Sequence, residues 1–70
     1  MSQTRKPTPI SDLLRSTIAR SGEPLMVLER ATGVSRGSIM RFLRRRQFLR
    51  LDMADRLARH FGLVLVRKDR

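Results

Sequence analysis

The chain has no cysteine, no tryptophan and no tyrosine, and its one histidine is His60. Without cysteine there is neither a disulfide framework nor a thiolate metal site, and a single histidine cannot hold a metal unaided. No metal and no other cofactor is expected. Carboxylates paired in an apolar setting and a glycine-rich phosphate loop are also missing, so the common catalytic constellations are lacking and the chain is not expected to be an enzyme. His60 reads as an exposed residue in the last turn of a helix, favoured there by the helix dipole. Long apolar runs are absent too, and none approaches the length that crosses a bilayer. The polar opening Met-Ser-Gln-Thr-Arg-Lys has no hydrophobic segment behind it to act as a secretion signal, so the expectation is a cytoplasmic protein and no membrane partner.

Acidic residues are scarce. Six Asp plus Glu face sixteen Lys plus Arg, a formal net charge of +10, and arginine supplies nearly all of the basic side. A surplus of this kind points to a polyanion, and the planar guanidinium fork matches phosphate and guanine edges. The excess is one-sided: from Arg36 to Arg50 there are six arginines and no acid, while the six acids lie outside that window.

Seventy residues make one domain at most, with a modest core that gains from dimerisation. Residues 1–10 join prolines to polar side chains and read as a flexible basic arm. That arm is either a plain disordered terminus or one that places Arg5 and Lys6 along a phosphate backbone or in a minor groove. A first helix is expected from about Ser11 to Ser21, with Ser11 as cap, Asp12 in the first turn and Gly22 at the end. Leu13, Leu14, Thr17 and Ile18 form its inward face, leaving Arg15 and Arg20 solvated. A second helix runs from about Pro24 to Thr32, with Pro24 in its first turn. Its start is apolar throughout, so Leu28 with Leu25 or Ala31 faces inward. Met26 and Val27 then either cover a neighbouring segment or meet a partner.

The hinge Thr32-Gly33-Val34-Ser35 organises the chain. Glycine tolerates the left-handed conformation that ends a helix, and the Ser35 hydroxyl can cap the next one. From that cap, Ile39, Phe42 and Leu43 fall together at helical spacing and point inward, while Arg36, Gly37, Met40, Arg41 and Arg44 form an outward stripe. The run Arg44-Arg45-Arg46 marks the helix end. Leu49 or Leu51 is expected to plug the core, with Phe48 partly exposed. A fourth helix spans Asp52 to His60, with Asp52 and Asp55 as a capping pair, Met53, Ala54, Leu57, Ala58 and Phe61 as its core face, and Gly62 just beyond. Leu63, Val64, Leu65 and Val66 then read as a short strand before a charged tail, residues 67–70. A lone strand must pair, so this one either packs as an extended tail on the first or fourth helix, or pairs antiparallel with its copy in a second subunit.

The stretch Leu28 to Phe42, with Thr-Gly-Val-Ser as its turn and Ile39 following, resembles the lambda-repressor-like helix-turn-helix proteins, often called the Xre family. Leu51 to Ala58, closing at Phe61-Gly62-Leu63, is similar to the helix that follows in small bacterial members, so the resemblance covers residues 11–66. It implies an all-α, compact four-helix bundle, here with a short C-terminal extended strand, that binds operator DNA as a dimer to regulate transcription. By position, Arg36, Gly37, Met40 and Arg41 match the residues of the recognition helix that meet base edges, with Arg44 extending that face. Ser35 and Ser38 match positions near the phosphates. Where the family has alanine before the turn, this chain has Glu29, which is expected to bend outward and pair with Arg36 or Arg30.

On this basis the expected function is sequence-specific binding of double-stranded DNA by a dimeric repressor in the nucleoid. Arg36 and Arg41 would each give two hydrogen bonds to guanine, and Met40 would touch a thymine methyl. Ser35, Ser38, Arg45, Arg46 and Arg50 would hold phosphates without reading sequence. Two alternatives stand beside it: an antitoxin-type module that also binds a protein through Met26, Val27 and Phe48, and a basic binder indifferent to sequence.

Overall fold

A computed structural model of the chain describes residues 8–67. Four helices follow one another: α1, Pro9–Ser21; α2, Leu25–Thr32; α3, Arg36–Leu43; and α4, Leu51–His60. The domain is all-helical, with no strand among the described residues. None of these helices is long and apolar enough to cross a membrane.

α1 starts earlier than expected and takes in the end of the expected arm. Pro9 occupies the first turn, where its fixed φ fits and its missing N–H removes no bond. Thr8 is the cap residue: its carbonyl accepts from the Asp12 N–H at 2.8 Å, and its hydroxyl donates to Asp12 Oδ1 at 3.0 Å. Ser11 therefore lies inside the helix and caps nothing. Arg5 and Lys6 of the arm fall outside the described residues, as do residues 68–70 of the tail. Pro24 is the residue before α2, in extended conformation, and its carbonyl accepts from the Val27 and Leu28 N–H groups.

α1 packs on α3 and α4, and α2 packs on the same two helices. The core they enclose consists of Leu14, Ile18, Leu28, Val34, Ile39, Phe42 and Leu57, with Leu25, Leu43, Leu49, Met53, Ala54, Phe61 and Leu63 packed around it. The expected inward face of α1 is rotated. Leu13 is exposed, whereas Arg15 is buried, and the helix presents Leu14, Arg15 and Ile18 to the interior. Arg15 is accommodated because Nε, Nη1 and the face of its guanidinium are each matched. Nε donates to the Phe42 carbonyl at 2.9 Å, Nη1 meets Asp12 Oδ1 at 3.1 Å, and the group stacks 4.5 Å from the Phe42 ring centroid. The accepting carbonyl belongs to the last turn of α3, the negative end of that helix. A buried arginine thus locks α1 to the end of α3.

At α4, Arg50 occupies the cap position and no side chain caps the helix, so the expected Asp52–Asp55 capping pair does not form. Asp52 sits in the first turn and accepts instead from Arg50, at 3.2 Å from Nε and 3.1 Å from Nη2. Leu49 fills the core edge, while Leu51 and Phe48 are exposed. His60 Nε2 lies 2.9 Å from Glu23 Oε1, tying the end of α4 to the link before α2.

The expected strand at Leu63 to Val66 is absent. Leu63 tucks against the core and its N–H bonds to the Ala58 carbonyl at 2.8 Å, but Val64, Leu65 and Val66 are 75–82% exposed. A strand needs a neighbour for its backbone groups, and the described part of this chain supplies none. Beside this segment, Ile10 and Leu13 of α1 and Leu51, Ala54 and Ala58 of α4 line an apolar groove of about 510 Å³.

Candidate nucleic-acid interface

The turn between α2 and α3 sets the direction of the arginine-bearing helix. Gly33 adopts φ 80°, a left-handed value that a side chain would strain, and its N–H closes α2 on the Glu29 carbonyl at 2.8 Å. The Thr32 hydroxyl donates to the Leu28 carbonyl at 2.7 Å and accepts from the Val34 N–H at 3.2 Å. Val34 is thereby pressed into the core. Ser35 caps α3, accepting the Ser38 N–H at 3.2 Å, and the two serine hydroxyls lie 3.0 Å apart. Ser38, a candidate for phosphate contact, is only 8% exposed and is engaged in this cap, which leaves it inside the structure. Ser35 remains at the surface.

With Ile39 and Phe42 buried, the opposite side of α3 exposes Arg36, Met40, Arg41 and Arg44. Arg36 Nε sits 3.1 Å from Glu29 Oε1, so Glu29 turns outward and pairs across the bend. Arg41 Nε donates to Gln47 Oε1 at 3.0 Å. Its guanidinium folds back over Gly37: a Cβ built there would come within 3.2 Å of Nη1. Gly37 therefore makes room for the Arg41 head group as well as thinning the helix face.

No protein-family model, no curated protein and no solved structure matches this chain.

The exit of α3 carries three consecutive exposed arginines. Arg44 caps the helix and Arg45 takes φ 62°, the one positive φ outside glycine among the described residues. The Arg45 N–H bonds to the Phe42 carbonyl at 3.0 Å and the Arg46 N–H to the Arg41 carbonyl at 2.8 Å, which makes a Schellman ending. α4 ends in the same way, with the Leu63 N–H on the Ala58 carbonyl, but there the left-handed position is held by Gly62. At α3 an arginine stands where glycine is the unstrained choice. Arg44, Arg45 and Arg46 are all exposed. Arg45 has a distant partner in Asp12, at 3.8 Å, and among the described residues no ion pair engages Arg44 or Arg46.

Arg50 is exposed but paired with Asp52, whose carboxyl it holds below the usual carboxylate range, chiefly through the side-chain hydrogen bonds. The stabilisation that goes with a lowered carboxylate pKa is present above the unfolded value and lost as pH falls through the folded one. One further arginine joins this region. Nη1 of Arg56, from α4, lies 3.5 Å from where a Gly33 side chain would begin, beside the α2–α3 bend. Its position between the core residues Met53 and Leu57 gives no pattern that singles it out in the sequence. Among the described residues no cluster of three or more His, Cys, Asp or Glu could hold a metal.

Proposed function

We propose that the chain is a sequence-specific double-stranded DNA-binding regulator of the lambda-repressor-like helix-turn-helix kind, a dimeric repressor that lays α3 in the major groove. The observation that carries this reading is the helix itself. α3 is short, rigidly seated by Ile39 and Phe42, exposes Arg36, Met40, Arg41 and Arg44 on one side, and ends in three consecutive exposed arginines. An α-helix fits the major groove, where arginine meets guanine O6 and N7. Arg44, Arg45, Arg46 and Arg50 then grip phosphates and fix the register. The strained arginine at position 45 supports the same reading, because its charge is kept at a place where glycine would be more stable. Arg45→Gly is accordingly expected to stabilise the fold by about 1 kcal/mol while weakening binding to every duplex. Chemical denaturation paired with a binding titration checks both halves.

The second copy is inferred from the groove between α1 and α4. This apolar groove is lined in part by Val64 and Leu65, in a segment whose backbone has no partner among the described residues. Pairing Val64–Val66 with the same segment of another chain about a two-fold axis would satisfy those backbone groups and cover the groove. Such a dimer presents two α3 helices to successive turns of DNA.

Salt dependence tests the phosphate grip. With four phosphate contacts per domain, log affinity for a mixed-sequence duplex is expected to fall against log salt with a slope of about −3.6 per bound domain. A slope near zero would contradict DNA binding through these arginines.

A further inference from the structure

Both arginines best placed to meet bases are held on the same side of the guanidinium. Arg36 is approached at Nε by Glu29 Oε1, and Arg41 gives its Nε–H to Gln47 Oε1. Neither acceptor lies on α3: Glu29 is in α2, and Gln47 is in the link beyond the helix. A guanidinium can offer two parallel N–H groups either along its Nε edge or from its Nη1/Nη2 end. The Nε hydrogen bond of Arg41 and the ion pair at Nε of Arg36 disfavour the first choice and leave the second. It also restricts a long side chain that would otherwise lose its rotamer freedom on binding. Gly37 completes the arrangement for Arg41, because a side chain there would crowd Nη1.

We infer that Glu29 and Gln47 are specificity-determining positioning residues, which hold Arg36 and Arg41 so that their Nη ends meet the O6 and N7 edge of guanine. This rests on the DNA-binding reading above and goes beyond it by assigning base preference to two residues that do not touch the bases. Glu29 has a second effect of opposite sign. Its carboxylate lies beside the phosphate-facing surface and lowers affinity for DNA in general, so it favours the correct sequence partly by disfavouring all others.

The test compares wild type, Glu29→Ala, Glu29→Gln, Gln47→Ala, Arg36→Ala and Glu29→Ala/Arg36→Ala by fluorescence anisotropy. The probes are a preferred duplex and the same duplex with its contacted G·C pairs changed to A·T. Glu29→Ala is expected to tighten binding to the changed duplex and to lower the preference ratio about tenfold, the range of one well-formed arginine–guanine pair. Glu29→Gln keeps an acceptor oxygen and should hold the ratio near that of wild type. In the Arg36→Ala background, Glu29→Ala should leave the ratio where Arg36→Ala alone puts it. Gln47→Ala should lower the ratio in the same way through Arg41. Thermal unfolding should be little changed in all of them, since the contacts are exposed. If wild type prefers one duplex and the Glu29→Ala and Gln47→Ala ratios equal the wild-type ratio, the positioning role is wrong while the DNA-binding reading stands. If wild type itself prefers no duplex, both fall.

Discussion

Replacement of Phe42 by alanine is expected to leave most of the chain unfolded at room temperature. Phe42 is 1% exposed and sits in the last turn of α3, where α1 packs against that helix. Truncating a buried phenylalanine costs about 3–5 kcal/mol through lost transfer energy and the cavity that remains. Here the ring also carries the guanidinium of buried Arg15 on its face, so the variant strips a buried charge of one of its partners. A domain of 70 residues has on the order of 3–10 kcal/mol in total. The loss is thus comparable to the whole. Met40→Ala, two positions earlier and 39% exposed, serves as the control, with an expected change within about 0.5 kcal/mol. Urea unfolding followed by circular dichroism measures both, and a Phe42→Ala loss below about 1 kcal/mol would contradict this packing.

The largest functional effect is expected from replacing Arg44, Arg45 and Arg46 together by glutamine. Each phosphate contact contributes a factor that grows as salt falls, roughly eightfold per contact at 0.1 M relative to 1 M. Three contacts multiply to about five hundredfold, and the salt slope should flatten by about 2.7. Stability should change little or rise slightly, because three exposed like charges in a row repel one another. Affinity should fall on all duplexes alike, since phosphate contacts carry no sequence information. A triple variant that keeps wild-type affinity at low salt would remove the phosphate grip from the end of α3.

Much of the fold was legible because the relevant signals are local. Glycine at 33, serine at 35 and apolar residues at helical spacing specify the α2–α3 bend and the buried face of α3, and the structure has Gly33 left-handed, Ser35 capping and Ile39 and Phe42 buried. That Glu29 turns outward to an arginine was legible, with Arg36 and Arg30 both open, and the structure pairs it with Arg36. Part of what failed depended on distant partners, and part on nearby competitors for the same side chain. Arg15 looks solvated in sequence, and only the approach of the Phe42 carbonyl and ring lets it replace Leu13 on the inner face. Asp52 has the spacing of a cap but is taken by Arg50. The strand expected at residues 63–66 rests on β-branched composition, which describes a surface that fits a sheet and cannot provide the neighbouring strand. In the interface, Ser38 was placed near phosphate by position in the resemblance, whereas the serine–serine contact at the start of α3 draws it inside. Arg41 folding over Gly37 depends on side-chain geometry that spacing does not reveal.

The central claim is that α3 reads sequence, and selection of bound duplexes from a randomised pool at physiological salt tests it most directly. Enrichment of an inverted repeat whose half-site centres lie about one helical turn apart is predicted, with guanines at positions whose preference is lost in Arg36→Ala and Arg41→Ala. A pool that stays random after repeated rounds, despite tight binding, would contradict it and leave the arginines as a grip on any polyanion.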